Sequence, residues 1–129
     1  MNIIIKLSAL LILFSSLLFT QQWQQQNSGT TNYLLDLHFV SETTGWVVGF
    51  DGTILKTTDG GNSWIQQNAG TTTHLRSVFF LNDQLGWIGG YNGISLKTTN
   101  GGDNWQLGQF GYGTEDVYEI SFTDENIGQ

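Results

Sequence analysis

The chain has no cysteine and no proline in its 129 residues, and only four basic side chains, Lys6, Lys56, Arg76 and Lys97. Without cysteine there are no disulfides, thiol nucleophiles or thiolate metal sites. Without proline nothing in the chain removes a backbone donor from a hydrogen-bonded ladder, which suits a strand-dense protein. The four bases face 11 acidic residues, a net charge of -7. That balance excludes nucleic acid as a partner and argues against an anionic membrane surface. A membrane-length apolar run is also missing. Leu7 to Phe19 spans 13 residues, short of the about 20 that cross a bilayer as a helix. It follows a positive start, Met1 to Lys6, and precedes a polar stretch from Gln21, with the small Thr20 between. Residues 1–20 therefore read as a signal peptide. The expected mature chain, 21–129, is secreted, periplasmic or at the cell surface, with no transmembrane segment once the signal is cleaved.

What the chain does have is a copy of itself. GWVVGFDGTILKTTDGGNSW at 45–64 returns as GWIGGYNGISLKTTNGGDNW at 86–105. Trp23, Trp64 and Trp105 stand 41 apart, as do Trp46 and Trp87, so the period takes in every tryptophan. A fixed period of roughly 40 to 50 residues, rich in glycine and aromatics, is the signature of propeller blades. The expected fold is all-β: two complete four-stranded blades of a β-propeller plus the start of a third. The third copy begins at Val117 and runs through Ile120 and Phe122 to Gly128. These align with Leu75, Val78, Phe80 and Gly86 at a spacing of 42, one residue having been added after Trp105. The repeat breaks off in mid-blade, which we read as a piece of something longer.

One copy divides into four strands. Leu34 to Val40 alternates Leu37 and Phe39 with Asp36 and His38, the period of a strand. Gly45 to Phe50 is apolar and β-branched. Asp51-Gly52 follows, matched by Asn92-Gly93, and these are the strongest two-residue hairpin signals because both positions need positive φ. Thr53 to Lys56 makes the third strand and Trp64 to Gln67 the outermost.

The turn before Trp64 carries a resemblance. Thr57, Asp59, Gly61, Ser63 and Trp64 fit the S/T-x-D-x-G-x-S/T-W pattern of the Asp-box found in bacterial neuraminidase (BNR) repeats. In the second copy Thr98, Gly102 and Trp105 hold, while Asn100 replaces the aspartate and Asn104 the second hydroxyl. The longer phrase, GTILKTTDGGNSW after GWVVG, is similar to the propellers of photosystem II stability/assembly factors and their bacterial relatives. The resemblance covers about residues 23–128. It implies a structural turn in which the short aspartate accepts backbone hydrogen bonds, a role asparagine can fill through its amide oxygen. It also implies a box tryptophan filling the wedge between sheets. On that reading Trp64→Ala costs roughly 3–5 kcal/mol and unfolds the blade.

Candidate chemistry is sparse. Asp59-Gly60-Gly61-Asn62 has the look of a calcium loop, but calcium takes six to eight oxygens and the second copy offers only Asp103 nearby. Gly60-Gly61 and Gly101-Gly102 lack the lysine and helix of a phosphate loop. His38 and His74 fall at non-equivalent positions, so zinc is not expected. No cofactor and no catalytic residue is assigned. Asp36, Arg76, Asp116 and Glu119 vary from copy to copy near the start of each first strand, where propellers line the mouth of a central channel. These are the candidate site residues.

Sialidase activity, as the Asp-box resemblance would suggest, rests in that family on an arginine triad and a tyrosine–glutamate pair. This chain has one arginine, Arg76, and lysine does not reproduce bidentate carboxylate capture. The photosystem-factor resemblance implies basic patches for partner binding, and four bases make none. The leading expectation is an exported, non-catalytic propeller module presenting loops to a protein or glycan partner. The alternatives are the N-terminal part of a secreted glycoside hydrolase with catalytic carboxylates in later blades, and an assembly factor of the photosystem type. Bare blade faces also predict self-association.

Overall fold

The computed structural model describes residues 24–111 and 115–121. The leader 1–20, Trp23, Phe122, Asp124, Glu125 and Gly128 lie outside the described residues, and with them the cleavage-site expectation. Within them the chain forms two four-stranded antiparallel sheets with strictly sequential order. The first contains β1 (Leu34–Phe39), β2 (Gly45–Gly49), β3 (Ile54–Thr57) and β4 (Ile65–Gln67). The second contains β5 (Leu75–Phe80), β6 (Gly86–Gly90), β7 (Ile94–Thr98) and β8 (Gln106–Gln109). Pairings repeat copy for copy: Trp46 faces His38 and Lys56, as Trp87 faces Phe79 and Lys97. These are two propeller blades. Residues 115–121 lie against the second blade but form no strand among the described residues.

Both β2–β3 and β6–β7 hairpins turn as their sequences dictate. Asp51 and Gly52 have φ of 55° and 68°, and Asn92 and Gly93 have 56° and 71°. These are the left-handed values that a tight hairpin turn needs and that Asp, Asn and Gly tolerate best. Gly52 is doubly constrained, because a Cβ there would collide with the Thr71 carbonyl.

The core lies between the blades. Trp46, Val48, Ile54 and Ala69 of the first blade pack on Leu75, Val78, Phe80, Ile88 and Leu96 of the second. At its centre the Trp46 indole stacks on Phe80, centroids 3.5 Å apart and planes 8° from parallel. Trp46 is fully buried. We call the side of a blade that faces the following copy its front, and the other its back.

The two box tryptophans take equivalent places. Trp64 is half-buried and meets Phe39 of its own blade edge-on at 6.2 Å. Trp105 meets Phe80 in the same way at 5.9 Å. Both indoles lie on the back of their own blade. Trp105 therefore joins the inter-blade core, since the first blade sits behind it. Trp64 lies on the back of the first blade, where exposed Leu37 and Phe39 lie beside it.

Candidate functional site

Two side-chain links tie each blade to the copy that follows it, and they account for two of the four candidate residues. Asp36 accepts from the Val78 amide through Oδ2 at 2.8 Å and from Leu37 through Oδ1 at 2.9 Å. Ser77, its repeat equivalent, accepts from the Ile120 amide at 2.9 Å. At the hairpin tips, His74 Nδ1 accepts from the Asp51 amide and Asp116 Oδ1 from the Asn92 amide, each at 3.0 Å. His74 and Asp116 are also repeat equivalents. Asp36 and Asp116 thus act as inter-blade fasteners, which is a structural use of a carboxylate accepting backbone N–H groups.

A second fastener joins the blades at the Thr98–Trp105 turn. The Gly101 carbonyl accepts from Trp46 Nε1 (3.2 Å), Lys56 Nζ (3.0 Å) and Gln67 Nε2 (3.2 Å), all from the first blade. Lys56 is thereby held in the structure and does not face outward as a free base. Gly102 has φ of +89°, and a Cβ there would strike the Gln67 side-chain oxygen. Glycine at that position serves both the turn and the neighbouring blade.

Inside the Thr57–Trp64 turn, Thr57 Oγ1 donates to Asp59 Oδ1 (2.8 Å) and accepts from the Gly61 amide (2.9 Å). Asp59 also accepts from the Ser63 amide (2.9 Å) and from the Ser63 hydroxyl. The Ser63 hydroxyl is the largest reason that the Asp59 carboxyl is held below the usual aspartate value, followed by the Ser63 amide and Thr57. Asn100 reproduces the frame: it accepts from Thr98 Oγ1 at 2.9 Å and from the Asn104 amide at 3.0 Å. Only the hydroxyl bond is missing, because Asn104 stands where Ser63 does. Both turns are filled by their own hydrogen bonds. Among the described residues no group of three or more His, Cys, Asp or Glu side chains is placed to hold a metal.

Arg76 and Glu119 are placed differently. The innermost strands, β1 and β5, and the segment 115–121 line a groove of about 470 Å³. Leu35, Arg76 and Tyr118 occupy the same repeat position on its wall, and Asp36, His38 and Glu119 also line it. Arg76 Nη1 donates to the Tyr91 hydroxyl at 3.0 Å. Its guanidinium lies 4.4 Å from the Tyr118 ring centroid and 5.2 Å from that of Tyr91. Two aromatic faces hold it by cation–π attraction, and one of its five N–H groups is used in that bond. Tyr118 is 68% exposed. The result is a pre-positioned cation in an open groove, suited to a carboxylate or a run of peptide carbonyls. Tyr91 and Tyr118, the residues that hold Arg76, were missed by sequence reasoning. The signal available was the change from Leu35 to Arg76 to Tyr118 at one repeat position.

The family model of the photosynthesis system II assembly factor YCF48 matches residues 16–110 of the chain. The chain belongs to that family. Among solved structures, "YCF48 bound to D1 peptide" is 36% identical, with a TM-score of 0.55 over 60% of this chain. "YCF48 from Cyanidioschyzon merolae" is 31% identical, with a TM-score of 0.61 over 69% of this chain. This chain spans 27% of the length of each of those proteins. No curated protein matches it. In this YCF48-family chain the repeated residues build the blades, and the side chains of the fasteners and of the groove are those that change between copies.

Proposed function

We propose that this chain is a non-catalytic binding module whose inner groove receives a peptide segment of a protein partner. The observation that carries the reading is Arg76, held between Tyr91 and Tyr118 on the groove wall. Further support comes from the related YCF48 structure, described as bound to D1 peptide. A partner in the class of photosystem II proteins follows from that likeness, and a protein is favoured over a glycan for the same reason. Asp36 and Asp116 serve the scaffold, since both Asp36 oxygens and one Asp116 oxygen accept backbone hydrogens. The short apolar run at Leu7 to Phe19 supports export to the periplasm or cell surface.

The test is a titration of the chain with the D1 peptide. Arg76→Gln removes the charge while keeping a polar side chain of similar reach. Loss of a hydrogen bond to a charged group costs about 1.5–3 kcal/mol, so binding should weaken roughly tenfold or more. Saturable binding that Arg76→Gln leaves untouched, or no binding at all, would contradict the reading.

A further inference from the structure

The dipeptide Asn-Gly occurs twice in the chain, at 92–93 and 100–101. It is the pair most open to loss of the asparagine amide, because glycine has no side chain to keep its nitrogen from the neighbouring carboxamide carbon. The fold treats the two copies differently. Asn100 is half-buried, and its Oδ1 accepts from Thr98 Oγ1 at 2.9 Å and from the Asn104 amide at 3.0 Å. The Gly101 nitrogen beside it donates to the Gln84 carbonyl at 2.8 Å. Asn92 is exposed at a hairpin tip. Among the described residues its backbone amide and carbonyl make hydrogen bonds and its side chain makes none.

The residues that face the two tips also differ. At the first tip Asp51 Oδ1 lies 3.7 Å from His74 Nδ1. At the second, the Asn92 amide donates to the Asp116 carboxylate at 3.0 Å. An acidic tip meets an imidazole, and a neutral tip meets an acid. We propose that Asn92 is a site of spontaneous deamidation, and that the charge it gains loosens the 115–121 segment against the second blade. The Gly93 nitrogen attacks the Asn92 side-chain carbonyl carbon and gives up its proton. The new C–N bond closes a cyclic imide as ammonia leaves with the side-chain nitrogen. Water then opens the ring at either carbonyl. One opening gives aspartate in an unaltered backbone, and the other runs the chain through the side-chain carboxyl as an isoaspartyl link. The turn accepts aspartate, since Asp51 holds the same position with φ of 55° against 56° at Asn92. The partner does not, because a carboxylate there faces Asp116, and like charges at that spacing repel. Asp116 adjoins Val117, whose amide donates to the Gly90 carbonyl at 2.9 Å, so loss of the tip contact weakens the hold of the segment on the blade.

The full chain is aged in mildly alkaline buffer and digested, and conversion of asparagine is read by mass at 92 and at 100. In the folded chain it should run roughly tenfold or more faster at 92, since at 100 the turn hydrogen bonds must open first. In denaturant the two identical dipeptides should convert alike. Asn92→Asp installs the charge directly. Exchange of the Val117 amide should then speed about two- to fivefold, less so in high salt, and Asp116→Asn added to that variant should bring the rate back. Equal conversion at both sites in the folded chain, or an intact Asn92, would overturn the proposal. So would Val117 exchange unchanged by Asn92→Asp, or quickened exchange that Asp116→Asn does not restore. These readouts stand apart from peptide binding in the groove.

Discussion

Asp59 and Asn100 occupy equivalent turns, and their difference sets an acid dependence. Asp59 is held below its ordinary value by the Ser63 hydroxyl first and by the Ser63 amide and Thr57 next. Its ionised form is therefore favoured by folding. The stability it adds is fully present above the unfolded aspartate value of about 3.9, and is lost as pH falls through the lower folded value. Asp59→Asn, which installs the residue of the second copy, should flatten the loss of stability on acidification in denaturant melts. An unchanged acid limb would show that the turn hydrogen bonds do not favour the carboxylate. The tryptophans divide in the same way. Trp46→Ala opens the stacked contact with Phe80 and should cost about 3–5 kcal/mol. Trp64→Ala, half-buried on the back face, should cost well under that range, measured by the same melts. At this scale the sequence showed that the tryptophans are structural but not which side of its sheet each indole takes, because an identical period of 41 is carried by both sets.

Hairpins were the most readable elements, because Asp-Gly and Asn-Gly carry their backbone conformation with them. Gly52→Ala should cost at least about 1–2 kcal/mol for the left-handed conformation alone, with the Thr71 contact in addition. Asp51→Gly should change stability by less than about 1 kcal/mol. Equal effects of the two changes would argue against this turn. Strand boundaries came out within a residue or two of the pattern: β1 ends at Phe39 where alternation alone continues to Val40. The fasteners were not readable. Asp36 and Asp116 look like variable loop carboxylates in a linear sequence, and only the stacking of blades shows that each faces a backbone amide of its neighbour. Ser77→Ala should accordingly loosen the 115–121 segment, seen as faster amide exchange at Ile120, while the β5–β6 pairing stays protected. Slow exchange at Ile120 in that variant would show the segment is held by something else.

Across the whole molecule, one physical division organises the chain. Positions that repeat between copies build the sheets and the turns, while the inter-blade fasteners keep their place but change their residue, Asp36 to Ser77 and His74 to Asp116. Positions that change on the inner strands line the groove. The fold was therefore open to reading from the repeat, as was the choice of Arg76 as a candidate. The aromatic cradle around Arg76 was not, since Tyr91 comes from a hairpin tip and Tyr118 from the next copy. The chain itself supplies the control substitution: Leu35 stands in the first blade where Arg76 stands in the second. The most direct measurement pairs calorimetric D1-peptide titration with thermal melting of Arg76→Leu. The account predicts an essentially unchanged melting temperature and binding weakened by roughly tenfold or more. Retained affinity, or a collapse in melting temperature that accounts for the loss, would contradict it.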